Sequence, residues 1–200
     1  MSKEIILASG SQTRRILLES LNIPFKVIPS NFDERLIKET EPIQKVQETA
    51  RAKAHKIAVK HKGFIIAADT LGVFNGREFQ KPADLASAKE MLKSLSGQIG
   101  QLLTGICILD TERQKEVTTF RAVTVQCKEL TNDEIDRYIT EKPVTEWAAA
   151  YNPLDEVSSS IFKPLGEYIY RIEYYSLPID VIIQELKEIG IEIDSSRFKI

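Results

Sequence analysis

An unbroken apolar run at residues 64–68, Phe-Ile-Ile-Ala-Ala, constrains the fold of this chain more than any other feature. A run of this kind is expected for a strand that is buried on both faces of a sheet. Strand-like and helix-like segments alternate along the chain on either side of it; Leu17, Leu18 and Leu21, for example, recur at helical spacing after the short apolar run at 5–8. This alternation predicts an α/β fold in which helices cover a mixed sheet.

Periodicity and boundary residues place the individual elements. Asn75-Gly76 is typical of a two-residue hairpin turn, and Thr131 with Glu134 forms a capping box that opens a helix. Segment 142–160 is the least regular part of the chain. We predict helices at 14–21, 42–62, 84–95, 131–139 and 178–190, and strands at 5–8, 25–28, 64–68, 102–109, 117–125 and 168–174.

Charge and composition exclude several classes of protein. The 200 residues include 27 Lys and Arg against 29 Asp and Glu, for a net charge of −2, so we expect neither a nucleic-acid coat nor a polybasic membrane binder. Apolar runs stay far below the roughly 20 residues of a membrane span, and the N-terminal run is too short for a signal peptide. Cys107 and Cys127 lack metal-ligand spacing and lie in apolar segments, which predicts reduced core thiols in a cytoplasmic protein.

Small hydroxyl residues and arginines follow the first predicted strand. Ser9-Gly10-Ser11 would let an anion approach the backbone at the start of the next helix, where N–H groups and a partial positive charge point outward. Arg14 and Arg15 could add charged contacts to a phosphate. The sequence is not a P-loop. The alternative is that Ser11 only caps the helix and that the two arginines are solvated.

A carboxylate and a lysine occupy two other strand ends. Asp69 follows the apolar run directly, where it could hold a divalent metal ion or accept a proton from water if burial raises its pKa. Asp-Thr is equally good turn chemistry and could simply begin the hairpin. Lys81 precedes Pro82, which fixes the backbone and would aim the ammonium group, although a lone lysine is more often a surface residue.

Two further segments carry weaker signals. Lys53 lies among Ala50, Ala52 and Ala54, a flank small enough to approach a sheet closely, and a solvated helix face is the alternative. The pair Asp33-Glu34 could supply a metal ligand or could be ordinary loop polarity.

The order of these motifs resembles the Maf family. The succession comprises Leu7-Ala8-Ser9-Gly10-Ser11 with Arg14, Ala50 with Lys53-Ala54, Ala68-Asp69-Thr70, Lys81-Pro82 with Asp84, Leu95-Ser96-Gly97 and Thr104-Gly105. Weaker similarity continues to Ile139 and returns at Leu177-Pro178, so the resemblance implies a single Maf-like domain over residues 1–200.

The resemblance implies a fold, a reaction and a site. The fold would be an elongated α/β fold with a long mixed sheet and two lobes around a cleft, related to the inosine triphosphate pyrophosphatases. The reaction would be hydrolysis of a nucleoside triphosphate to the monophosphate and pyrophosphate, with Mg²⁺ or Mn²⁺, by a cytosolic and homodimeric enzyme of a family first associated with septum formation. By this likeness Asp69 activates water and binds metal together with Asp33 and Glu34, and the triphosphate is bound by Ser9, Ser11, Arg14, Lys53 and Lys81.

Several positions depart from the family pattern. The usual Ser-Pro-Arg-Arg loop has Gln12 and Thr13 in place of proline and the first arginine, so base preference is not predicted. In a later motif, usually Asp-Lys-Ala-Gly-Ala-Tyr-Gly-Ile-Gln, Trp147 replaces the lysine and Ala149 and Asn152 replace two glycines. Leu154 falls on its final polar position, and with a short insertion Glu156 would take that place; we prefer Glu156 because it can read a nucleotide.

These departures motivate an alternative to the leading pyrophosphatase hypothesis: a nucleotide-binding regulator of cell division that has lost catalysis. A third hypothesis is an interaction protein associated with cell division or DNA, which the acidic pI of 5.8 disfavours.

Overall fold

The computed structural model describes residues 3–165 and 175–194. The predicted strand at 168–174 lies outside this range. The described strands are β1 (Ile5–Leu7), β2 (Lys26–Val27), β3 (Phe64–Phe74), β4 (Arg77–Phe79), β5 (Ile99–Asp110), β6 (Lys115–Cys127) and β7 (Phe162–Pro164). The α-helices are α1 (Gln12–Glu19), α2 (Pro42–Ala58), α3 (Leu85–Leu95), α4 (Asn132–Glu141), α5 (Glu156–Ser159) and α6 (Ile179–Glu188), and 3₁₀ turns occupy Glu34–Leu36, Val144–Glu146 and Ala148–Ala150.

The described strands form one mixed sheet. Their order is β2-β1-β3-β5-β6-β7, and β4 pairs with β3. β1 runs parallel to both β2 and β3, with Leu7 opposite Val27 and Ile66, whereas β3–β4 and β6–β7 are antiparallel. The mixed α/β class predicted from the sequence is therefore confirmed. Within residues 3–165 and 175–194, no helix is long and apolar enough to cross a membrane.

The chain divides into two compact units. The first comprises Met1–Asp69, Thr104–Arg121 and Ser176–Ile200. In its core, α2 packs on the sheet through alanines, and the closely packed set includes Ile6, Ala8, Ala50, Ala54, Ile65, Ala67 and Cys107.

The second unit comprises Thr70–Leu103 and Ala122–Tyr175. Its core is richer in aromatic rings: Tyr151 lies 4.7 Å from Phe162 and 5.7 Å from Tyr175, measured between ring centroids. Both cysteines are buried, Cys107 in the first unit and Cys127 in the second, as predicted. Burial raises the pKa of the Cys107 thiol to about 11 and that of Cys127 to about 12.

Two local signals in the sequence are confirmed in detail. Asn75 and Gly76 have φ values of 49° and 71° and connect β3 to β4, as a turn with two positive φ angles should. Thr131 and Glu134 form the reciprocal capping box at the start of α4. Hydrogen bonds to the Thr131 backbone and side chain and to Lys128 lower the pKa of Glu134 to about 2.

Two predicted boundaries are wrong. β3 does not end before Asp69 but continues to Phe74, because Gly72, Val73 and Phe74 pair with β4. Asp69 is therefore an interior residue of a long strand and does not begin a turn. Helix α2 ends at Ala58 and not near residue 62, since the chain must turn through Gly63, with φ of 130°, before Phe64 bonds to the Glu4 carbonyl.

Candidate active site

Helix α2 carries Lys53 to the sheet. Val46, Ala50, Lys53 and Ala54 lie on its buried face, at the i, i+4, i+7, i+8 spacing of one helical stripe. The helix comes so close to β5 that a Cβ atom on Gly105 would clash with the Val46 carbonyl. A glycine on the strand and alanines on the helix thus allow this approach, which the alanine flank of Lys53 had indicated.

The Lys53 ammonium joins two carboxylates. Lys53 Nζ lies 2.6 Å from Asp69 Oδ1 and 2.6 Å from Glu34 Oε1. The Lys53 and Asp69 side chains are 11% and 13% exposed, whereas Glu34 is 43% exposed. We call these three residues the carboxylate–lysine cluster. The alternative of a solvated Lys53 is thereby excluded.

Burial dominates the electrostatics of Asp69. Desolvation raises the pKa of this carboxyl above its ordinary value, and the nearby Glu34 charge acts in the same direction. Lys53 and Arg14 oppose the shift without reversing it. A carboxylate with a raised pKa is better suited to accept a proton near neutral pH than an ordinary aspartate.

Arg14 is bonded to the protein and not merely solvated. Its Nη1 donates to the Ala68 carbonyl at 2.8 Å and to Ser9 Oγ at 3.2 Å, and its Nε donates to the Ser176 carbonyl at 2.9 Å. Ser9 Oγ also accepts from the Ser11 backbone N–H at 3.2 Å. The guanidinium is therefore held beside the residue that precedes Asp69.

Ser11 and Arg15 make local contacts at the start of α1 and within it. Ser11 is the N-cap of α1 and accepts from the Arg14 backbone N–H at 3.4 Å. Arg15 is exposed and pairs with Glu19 one helical turn away. Of the two arginines, only Arg14 is thus built into the site.

The two acidic loop residues differ in their surroundings. Asp33 caps the 3₁₀ turn and makes a two-pronged ion pair with Arg35, which lowers the pKa of Asp33. Glu34 instead belongs to the carboxylate–lysine cluster. Asp33 and Glu34 are therefore adjacent in the sequence but take part in separate ion pairs.

The donor set of the cluster suits a hard divalent cation. Among the described residues, no three His, Cys, Asp or Glu side chains form a ready-made metal site. Asp69 and Glu34 nevertheless direct two carboxylate groups at a single positive charge, that of Lys53. Mg²⁺ commonly takes one or two carboxylates and completes its shell with water and substrate phosphate, so these residues fit such an ion.

The two remaining predicted site residues belong to the second unit. Lys81 is exposed and lies between β4 and α3. Glu156 is the exposed first residue of α5 and lines a cavity of about 430 Å³ together with Tyr138, Arg137 and Val157. Their roles toward substrate stay predictions.

Sequence reasoning missed Ser176. Its carbonyl accepts from Arg14, and its own hydroxyl, although buried, has no hydrogen-bond partner within the described part of the chain. The sequence separation of 162 residues between Ser176 and Arg14 leaves no local signal by which this contact could have been found.

A strained loop occupies the position of the divergent family motif. Ala149 and Ala150 have φ values of 52° and 54°, a region that alanine enters at a cost and glycine does not. Both residues are fully buried, and the Ala149 N–H donates to the Gln80 carbonyl at 3.1 Å. The glycine usual at position 149 thus fits the backbone conformation seen here.

The same α/β fold occurs in a protein of known structure, and the sequence matches a family model. The Staphylococcus aureus Ham1 protein shares the fold, with a TM-score of 0.56 at 15% identity over 94% of this chain and 100% of that one. The family model described as Maf-like protein matches residues 4–187, and the chain belongs to the Maf family.

Curated relatives of similar length support this membership. A protein of Halalkalibacterium halodurans named dTTP/UTP pyrophosphatase is 38% identical over 98% of this chain and 100% of its own length. A Bacillus cytotoxicus protein of the same name is 37% identical over 93% of this chain and 95% of its own, and one from Alkaliphilus oremlandii is 33% identical over 94% and 99%.

Proposed function

We propose that this protein is a nucleoside triphosphate pyrophosphatase that acts on dTTP and UTP. The observation that carries the proposal is the buried Asp69 carboxyl, which lies 2.6 Å from the Lys53 ammonium in a chain 38% identical to a protein named for that activity. The preference for dTTP and UTP is inferred from the names of the relatives alone. The residue at position 13 indicates base preference in the family, and Thr13 departs from that pattern.

The reaction requires a base and a set of fixed positive charges. A water molecule attacks the α-phosphorus, its oxygen forms the new P–O bond, and its proton passes to a carboxylate oxygen of Asp69. The bond from the α-phosphorus to the bridging oxygen breaks, and pyrophosphate leaves with that electron pair. Burial raises the pKa of Asp69, which brings the pKa of this base closer to the pH at which the enzyme works.

Cationic side chains stabilise the charge that develops on pyrophosphate. In this proposal Lys53 and Arg14, both placed beside β3, contribute charges that need no proton transfer. By the family resemblance, Ser9, Ser11 and Lys81 would also contact the triphosphate, and Glu156 would read the nucleotide. A Mg²⁺ or Mn²⁺ ion held by Asp69 and Glu34 would polarise the phosphate and supply a more acidic water. Homodimer formation remains a prediction from the resemblance, and a cytoplasmic location remains a prediction from the two cysteines and the resemblance.

A nucleotide panel tests the proposal. The purified protein is incubated with Mg²⁺ and each ribonucleoside and deoxyribonucleoside triphosphate, and released pyrophosphate is measured. We expect turnover of dTTP and UTP above that of the purine nucleotides. Turnover confined to purine nucleotides would refute the base choice and keep the reaction, whereas no pyrophosphate from any substrate would refute the reaction itself.

Asp69→Asn tests the proposed base. The amide cannot accept the proton, so kcat should fall by about 10²-fold or more. Asp136→Asn, the same chemical change at an exposed residue that pairs with Lys89, is the control and should leave kcat unchanged. Near-normal turnover of Asp69→Asn would remove Asp69 from this role. A nucleotide-dependent rise in melting temperature of the wild type without turnover would favour the regulator.

A further inference from the structure

The pairing of β1 with β3 stops just before Asp69. The Ala8 N–H donates to the Ile66 carbonyl at 2.7 Å, as the last contact of the parallel ladder. Two residues further along β3, the Ala68 carbonyl accepts from Arg14 Nη1 at 2.8 Å. Carbonyls two residues apart on a strand point to the same side, so the Arg14 guanidinium takes the place that a strand N–H would occupy if β1 continued.

The guanidinium is itself anchored from two sides. Ser9 Oγ accepts from Nη1 at 3.2 Å, and the Ser176 carbonyl accepts from Nε at 2.9 Å. These acceptors belong to the segment after β1 and to the segment before α6, both in the first unit. A rigid planar fork with several donors can serve three acceptors at once, which a lysine ammonium on a flexible stem does less well.

We infer that Arg14 is a positioning residue for Asp69, which acts by fixing the Ala68 carbonyl at the point where the main-chain ladder ends. The inference rests on the proposed function and goes beyond the phosphate contact that the family resemblance gives Arg14. Asp69 follows Ala68 directly, so a shift of this peptide moves the carboxyl that must meet the attacking water. A displacement of about 1 Å in such a group lowers turnover by about 10²-fold.

Kinetics of Arg14→Lys separate positioning from phosphate binding that is equally strong before and in the transition state, and amide hydrogen exchange separates positioning from stabilisation of the charge on pyrophosphate. Lysine keeps the positive charge and loses the fork, so we expect kcat to fall at least about 10-fold while KM stays within about 3-fold. A kcat within about 2-fold of the wild type would overturn the inference, as would a KM raised about 10-fold at unchanged kcat.

Arg113→Lys is the matched control. Arg113 also donates to a backbone carbonyl, that of Glu188 at 2.9 Å. Thr111, two residues before Arg113, donates to the Gly63 carbonyl just before β3, and Asp69 is six residues, roughly 20 Å, beyond Gly63 along that strand. We expect Arg113→Lys to leave both kcat and KM unchanged.

Amide hydrogen exchange tests the same inference without turnover. In Arg14→Lys, the peptide covering residues 66–72 should exchange at least about 5-fold faster than in the wild type, and in Arg113→Lys it should not change. Equal exchange in Arg14→Lys and the wild type would overturn the inference. If the wild type releases no pyrophosphate, the proposed function fails, and the exchange data still decide whether Arg14 holds this strand.

Ser9→Ala is the second variant, should Arg14→Lys fail to fold. It removes one anchor of the guanidinium and leaves the Ala68 and Ser176 contacts in place. We expect exchange of residues 66–72 to rise by a smaller factor, about 2-fold. Unchanged exchange in Ser9→Ala, with the protein folded, would contradict the inference.

Discussion

Lys53 Nζ lies 2.6 Å from Asp69 Oδ1 and at the same distance from an oxygen of Glu34. One ammonium charge thus faces two carboxylates, and the deeper of these is the one that burial disfavours as an anion. The pKa of Asp69 is raised in spite of its cationic partner, because desolvation outweighs the ion pair. Burial of Asp69 therefore makes this carboxylate more basic and lowers the stability of the folded protein.

Replacement of Asp69 by asparagine should therefore stabilise the protein at neutral pH. A raised pKa in the folded state means that the contribution of Asp69 to stability is fully present below its unfolded pKa and is lost as pH rises through its folded pKa. The asparagine amide does not ionise and carries no such loss, and Lys53 keeps Glu34 as a partner. We expect the melting temperature of Asp69→Asn to exceed that of the wild type at pH 7–8 by a few degrees, at about 2–4 °C per kcal/mol.

The pH dependence is the sharper part of this prediction. The advantage of Asp69→Asn should shrink as pH falls toward the ordinary pKa of an aspartate, because the raised pKa of folded Asp69 leaves a growing fraction of it protonated. Asp136→Asn, at a half-exposed position, should show no advantage that grows with pH. A lower melting temperature for Asp69→Asn at pH 7–8 would mean that the Lys53 ion pair outweighs desolvation.

Gly105→Ala should destabilise the first unit. The new methyl group would clash with the Val46 carbonyl of α2, and a helix backbone cannot move aside as a side chain can. We expect a loss of about 3 kcal/mol in the free energy of unfolding, measured by urea denaturation. Gly10→Ala is the control because its Cβ would meet only Pro29 carbons, at 3.7 and 3.8 Å, and should change stability by less than about 0.5 kcal/mol.

Two buried tyrosines of the second unit should respond oppositely to loss of the hydroxyl. Tyr151 OH has no partner within residues 3–165 and 175–194, whereas Tyr138 OH donates to the Ala150 carbonyl at 2.8 Å and lies as close to Ser158 Oγ. Tyr151→Phe should leave stability unchanged or raise it by about 1 kcal/mol, and Tyr138→Phe should lower it by about 1–2 kcal/mol. Equal losses in the two variants would show that Tyr151 OH is hydrogen-bonded.

Glycine should be tolerated at Ala149 and not at Ala148. Ala149→Gly relieves a left-handed conformation worth about 1 kcal/mol and gives up a buried methyl of about 0.8 kcal/mol, so the net change should be near zero. Ala148 is also buried and is not among the residues with positive φ. Ala148→Gly should therefore cost about 1–2 kcal/mol, and thermal unfolding that ranks the two variants in the reverse order would contradict the strain at Ala149.

Local chemistry predicted much of the fold. The capping box of Thr131 and the turn at Asn75-Gly76 depend on contacts within four residues, so the sequence reports them directly. The end of β3 was missed because Asp69-Thr70 is good turn chemistry on its own, while the pairing of Gly72 with Phe79 that extends the strand is decided by tertiary structure. The same holds for α2, whose end is set by where Phe64 must enter the sheet.

The sequence indicated which residues belong to the site better than it indicated which atoms those residues contact. Alanines around Lys53 indicated a close approach to the sheet, and the structure gives that lysine two carboxylate partners. Nothing in the sequence could indicate that Arg14 would bond to Ala68 and Ser176, because a backbone carbonyl is the same at every residue. Contacts from a side chain to distant main chain leave no signature in composition or spacing.

The close packing of α2 on β5 affects how a mutational scan of this protein should be interpreted. Gly105 has no side chain to offer a nucleotide, yet bulk at this position would push away the helix that delivers Lys53. A screen scored by product formation alone would rank such a glycine beside the chemical groups themselves. Measuring the abundance or protease resistance of each variant in parallel would distinguish residues that maintain the fold from residues that take part in the reaction.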